Sequence, residues 1–176
     1  MCIRDRNYIV NSVNDLDDGV CDAVHCSFRE AVKAAEADGV ASIITFGISG
    51  PGPFLISPTM SFPNILQTDL TIIGESQPSP PGSIIIDFNF RNFMGVPFWT
   101  IQASRFIISG ITFREFLYEN LGDHIFKIGD LGLTADNCTL RNCSFYDDNS
   151  LFPLLPKEII LVNDADNVVI SNNKFA

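Results

Sequence analysis

Tryptophan (1), histidine (2) and methionine (3) are scarce in this chain, and only 18% of its residues are charged. With 46% hydrophobic residues to bury, so little charge excludes a disordered tail or a solvated coil. Positive charge is the scarcer sign: 11 Lys and Arg against 21 Asp and Glu leave a formal charge of -10. A surface field of that sign repels phosphate, which argues against a nucleic-acid partner or an anionic membrane surface. Long hydrophobic runs are also missing. The nearest approach to the roughly 18 apolar residues of a membrane span is Leu151 to Val162, interrupted by Pro153, Pro156 and the Lys157-Glu158 pair. Neither His25 nor His124 has a neighbour in sequence that argues for catalysis.

What the chain does have is 15 Phe, 12 Gly and 10 Pro distributed along 176 residues. That composition suits one domain of many short strands joined by turns. The exception lies near the start. Ser27 followed by Glu30 forms a capping box, in which the serine oxygen accepts from the Glu30 N–H and the glutamate reaches back to the Ser27 N–H. Phe28, Ala31, Val32 and Ala35 then follow helical spacing on one apolar stripe, leaving Arg29, Lys33 and Glu36 for the wet side, and Gly39 ends the run. A helix of about three turns does not persist alone in water, so it must lie on something apolar.

Before the helix, Tyr8-Ile9-Val10 reads as a strand and leads into Asn14-Asp15-Leu16-Asp17-Asp18-Gly19. Asp15, Asp17 and Asp18 could wrap a calcium ion, the one cofactor this sequence suggests. The run lacks EF-hand spacing and its terminal glutamate, which favours a solvated Asx-rich turn. Cys21 and Cys26 lie five apart and can close a small disulfide loop just ahead of the helix. A metal site with His25 between the two thiols is the competing reading, and no second ligand pair sits at zinc spacing. Cys138 and Cys143 are also five apart; on a strand that odd separation points to opposite faces, so at least one is expected to be a buried free thiol.

After the helix, Ser42 to Phe46 and Phe54 to Ile56 read as strands, and repetition follows. Leu70 to Gly74, Phe106 to Phe113, Cys138 to Phe145 and Val168 to Phe175 share one form, with Gly or Asn at 74, 110, 142 and 172, spaced by 36, 32 and 30 residues. A second short strand precedes each of the later three, at 97–101, 124–128 and 158–162. Two strands, a turn and a loop of drifting length per unit predict an all-β, right-handed parallel β-helix with a short N-terminal capping α-helix. The recurrent Gly or Asn predicts a left-handed bend, with Asn142 and Asn172 able to hydrogen-bond between coils, and Phe113, Phe145 and Phe175 predict an internal stack.

Cys21 to Val32, with Ile43-Ile44-Thr45-Phe46 and Leu70-Thr71-Ile72-Ile73-Gly74 after it, resembles the CSLREA domain of bacterial secreted and surface proteins; Phe28 stands where that family has leucine. The resemblance covers residues 8 to 90 closely and the rest only as generic coils. It implies an extracellular or envelope-associated bacterial chain, and no catalytic residues travel with the motif. On this reading residues 1–6 are a non-native leader resembling adapter read-through, 7–69 form the N-terminal cap, and 70–176 are coils of a fragment stopping within its repeat.

The expected function is therefore non-catalytic: a monomeric structural or adhesive part of a secreted or cell-surface β-helix protein, meeting a glycan or other cell-surface ligand. The alternative is a carbohydrate-active β-helix enzyme. Asp147-Asp148 resembles the paired aspartates of polygalacturonases, but the companion Gly-His-Gly and Arg-Ile-Lys motifs are absent. Arg91, Arg105, Arg114 and Arg141 are scattered singly and read as solubilising surface residues.

Overall fold

β-branched segments of three to five residues are too short to bury a core as hairpins, and the chain instead stacks them coil upon coil. The computed structural model describes residues 6–78, 83–89, 97–115, 124–130, 132, 134–146 and 159–176. Six strands make the first sheet: β1 (Arg6–Val10), β2 (Ser42–Phe46), β4 (Leu70–Ile73), β7 (Ile107–Ser109), β10 (Thr139–Arg141) and β13 (Val169–Ser171). A second sheet runs through β3 (Phe54–Ile56), β5 (Ile84–Asp87), β8 (Thr112–Arg114), β11 (Ser144–Tyr146) and β14 (Lys174–Phe175). The third comprises β6 (Trp99–Ile101), β9 (Phe126–Ile128) and β12 (Ile160–Val162). Every pairing between them is parallel, so each strand bonds to its counterpart one coil away: the fold is a parallel β-helix. β1 begins at Arg6, one residue inside the stretch read as leader.

Register turns the repeat into ladders of like side chains. Ile44, Ile72, Ile108, Leu140 and Ile170 are successive partners in the first sheet. Ile56, Ile86, Phe113, Phe145 and Phe175 are successive partners in the second. The Phe113 and Phe145 rings stack at 5.2 Å, and the Phe145 and Phe175 rings at 5.0 Å, as the repeat predicts. Trp99 lies over Phe126 at 5.8 Å in the third sheet, and its indole N–H donates to the Pro63 carbonyl, so the ring is buried without an orphaned donor.

The corners obey a rule that the repeat predicts only in part. Gly110, Asn142 and Asn172 have φ of 68°, 54° and 54°, the expected left-handed bend between the first and second sheets. Gly74 holds the same place but opens a 3-10 turn, and a Cβ on it would lie 2.4 Å from the Gly110 carbonyl oxygen; glycine serves there for space. Asn142 donates across coils to Glu75 as expected, and at the next corner the link runs through Asn173, whose side chain accepts from Cys143 N–H and donates to the Leu140 carbonyl. A second left-handed corner stacks just before the first-sheet strands, at Asp69, Arg105, Asn137 and Asn167 (φ 64°, 60°, 59° and 58°), with the same spacings of 36, 32 and 30.

α1 (Phe28–Asp38) closes the N-terminal end of the stack. Both halves of the capping box are present, and Gly39 terminates the helix at φ 65°. Phe28, Ala31, Val32 and Ala35 are fully buried. The Phe28 ring meets Phe46, Phe62 and Trp99 at 5.5, 4.9 and 5.7 Å, so one side chain ties the helix to the first and third sheets. Glu36 is only half on the wet side: its partly buried carboxylate accepts the N–H groups of Leu66 and Gln67. No helix among the described residues is long and apolar enough to cross a membrane.

Candidate functional site

The densest polar chemistry gathers where the acidic run meets the start of α1. Asp15 and Arg29 form a bidentate pair, both bonds 2.9 Å, with side chains only 3% and 4% exposed. Arg29 also donates to the carbonyls of Met60 and Ser61 and lies over the Phe62 ring, while Asp15 accepts from Thr59 N–H and Oγ1. This corrects the assignment of Arg29 to the wet face. The segment 58–62 folds over the first helical turn, and a planar guanidinium satisfied on every side tolerates burial there. Asp17 pairs instead with Lys33, and Asp18 turns toward His25 and Glu30. The three aspartates offered as a calcium site thus face three different partners. Asp15 is already satisfied by a buried cation, so they do not converge on one ion.

Cys21 and Cys26 are joined in a disulfide. The loop they close is held to β1 by Asn11, which accepts from Cys26 N–H and donates to the Asp22 carbonyl. Asp22 caps the loop from within, accepting the N–H groups of Val24 and His25; the His25 donor is the larger influence holding its carboxyl below the ordinary value. Glu30 is nearly fully buried. Burial works to raise its carboxyl, but donors from Ser27 N–H and Asp18 N–H outweigh that and keep it below the ordinary carboxylate value.

Along the coils, carboxylates are paired with cations or donors, most of them on neighbouring turns. Arg105 donates to Asp69 at 2.6 Å and holds its carboxyl low. Arg114 pairs with Asp87 at 2.7 Å, and Lys127 with Asp130 at 2.8 Å. Burial pushes Glu75 upward, yet donors from Ser109 and Asn142 more than offset it. Arg105 and Arg114 therefore act as struts between coils, beyond the solubilising role read from sequence. A groove of about 420 Å³ opens on the second sheet among Ile85, Thr112, Arg114, Glu115 and Tyr146. Asp147 and Asp148, like Arg91, lie outside the described residues.

Cys138 and Cys143 are free, and both are buried. The opposite-face argument fails because the left-handed bend at Asn142 resets the alternation between them. Burial pushes the Cys143 thiol up to about 11, leaving it a protonated core residue.

Opposite the cap, the stack presents its cross-section. Ile170 and Phe175 continue the two core ladders but are 44% and 52% exposed, beside Val162 and Val169. The interlocked Asp15–Arg29 pair and the left-handed corner at 69, 105, 137 and 167 escaped sequence reasoning. The corner had a signal in its repeated spacing; the ion pair had none. Comparison of the chain with family models, curated proteins and solved structures finds no match.

Proposed function

We propose that this chain forms the N-terminal cap and first coils of a secreted or cell-surface β-helix protein, with a structural or adhesive role. The observation that carries this reading is the state of the coil carboxylates. A glycan-cleaving site needs a general acid whose pKa is raised, set near a second carboxylate. Asp69 and Glu75 are instead held below their ordinary values by donors on neighbouring coils, and Asp87 and Asp130 are paired with cations. They act as braces. The Cys21–Cys26 disulfide suits an oxidising compartment, and the resemblance of Cys21 to Val32 to CSLREA domains of bacterial surface proteins agrees with it. A glycan or another cell-surface molecule is the ligand class we assign.

The alternative, a carbohydrate-active β-helix enzyme, would use the groove at Arg114, Glu115 and Tyr146, which leads in sequence to Asp147 and Asp148. Incubating the chain with polygalacturonate and other acidic polysaccharides, with and without calcium, separates the two. The expected result is no new reducing ends and no unsaturated product, with retention on a glycan array. Turnover lost in Asp147→Asn or Asp148→Asn would move the assignment to the enzyme.

A further inference from the structure

We propose that Asp18, His25 and Glu30 form a binding site for a borderline divalent metal ion, with zinc as the type case. Their ligand atoms all lie within 4.8 Å of one another. The argument turns on the two ring nitrogens of His25. Nε2 lies 2.9 Å from Asn14 Oδ1, and that same oxygen accepts the Leu16 N–H, which identifies it as the amide oxygen. Nε2 must therefore carry a proton. In the neutral ring Nδ1 is then a bare lone pair. It is buried, makes no hydrogen bond, and faces Glu30 Oε2 at 3.1 Å and Asp18 Oδ2 at 3.6 Å.

A lone pair set against two carboxylates calls for a cation among them. A proton on Nδ1 points along one line, and neither oxygen is aligned to accept it. A metal ion on that same line can take the two carboxylates at wide angles to the Nδ1 bond. With bonds of about 2.1 Å, ligand atoms around zinc sit about 3.0 to 3.4 Å apart, close to the 3.1 and 3.6 Å that separate Nδ1 from the two carboxylate oxygens; the exposed Asp18 side chain has only to swing inward to complete the set. All three ligands are also oriented from behind. Asn14 holds Nε2, the Val20 N–H holds Asp18 Oδ1, and the N–H groups of Asp18 and Ser27 hold the Glu30 oxygens. Outer bonds of this kind fix a metal ligand's direction before the ion arrives. One imidazole and two carboxylates suit zinc and its neighbours better than calcium. The Asp18 side chain is 49% exposed, so water can complete the coordination on that side.

The test is calorimetric titration of Zn2+, and separately of Ca2+, into the full chain after chelator treatment, with circular dichroism verifying the fold of each variant. One Zn2+ should bind per chain and calcium should give no heat. His25→Ala should abolish binding, Asn14→Ala should weaken it by about tenfold or more, and Asp17→Asn should leave it unchanged. Should His25→Ala fail to fold, Asp18→Asn replaces it with the same expected loss. Any of three titration results overturns the site: no zinc binding by the wild-type chain, zinc binding that survives loss of a ligand side chain, or calcium binding as tight as zinc. An imidazole ring carrying protons on both nitrogens in NMR spectra of the zinc-treated chain overturns it in favour of a histidine–glutamate ion pair.

Discussion

At the N-terminal end the coil stack is sealed by α1, with Phe28 and Val32 at 0% exposure, whereas at the last coil Ile170 and Phe175 are 44% and 52% exposed. Ile44 and Ile56, the first members of the ladders that end in Ile170 and Phe175, are fully buried under that seal; like side chains differ only in their cover. A parallel β-helix exposes apolar core and open strand edge wherever it stops. Here one end meets that problem with a helix, a buried ion pair and a disulfide. At the last described coil the same ladders are exposed. Stability should therefore be graded along the axis, and substitutions can measure the gradient.

The steepest expected loss is Val32→Asp, which buries an unpaired carboxylate under the lid and should cost more than about 3 kcal/mol in denaturant unfolding; an unchanged midpoint would remove α1 from its role as cover. Next comes a matched pair in one ladder. Phe145→Ala should cost about 4 kcal/mol and Phe175→Ala under about 1.5, so equal losses would mean the far end is covered in solution. Arg29→Ala leaves Asp15 buried without its cation and should cost about 3 kcal/mol, while Lys33→Ala, at a half-exposed pair, should barely register. Ser27→Ala removes half of the capping box and should cost about 1 kcal/mol, readable as a small fall in Tm.

The pH response is the subtlest test of the polar cap. Glu30, Glu75 and Asp69 are held below their ordinary values, so the stability they contribute is present above the reference values of 4.5 and 3.8 and is lost as pH falls through their lowered folded-state values. Glu36 runs the other way: burial raises it, so its contribution is present below its reference of 4.5 and lost as pH rises through the raised value. Asp22 is held low as well, and four groups against one predict a net loss of stability on acidification. Glu36→Gln should make that acid loss steeper, because the opposing group is gone; an unaltered curve would contradict its burial.

Legibility followed the range of the interactions. The capping box, the Gly39 stop and the disulfide loop join residues close in sequence, so local pattern sufficed to read them. The coil emerged from a repeat, because like side chains must stack on like at a fixed period; two strands per unit were read where there are three, because the left-handed bend at 110, 142 and 172 divides one segment between two sheets. Arg29 was misplaced since its partners, Asp15 and the 59–62 segment, come to it only through the fold. The expectation of at least one buried free thiol at Cys138 and Cys143 holds, and both are buried because one left-handed residue between them cancels the alternation of a strand.

By itself, then, the sequence determined that this chain is a capped parallel β-helix, since periodicity and capping are properties of neighbouring residues. Only the tertiary structure decided where the charges go. Which aspartate meets an arginine, which a lysine and which a histidine depends on loops crossing between coils. Charge interactions act through space and leave no period in the chain.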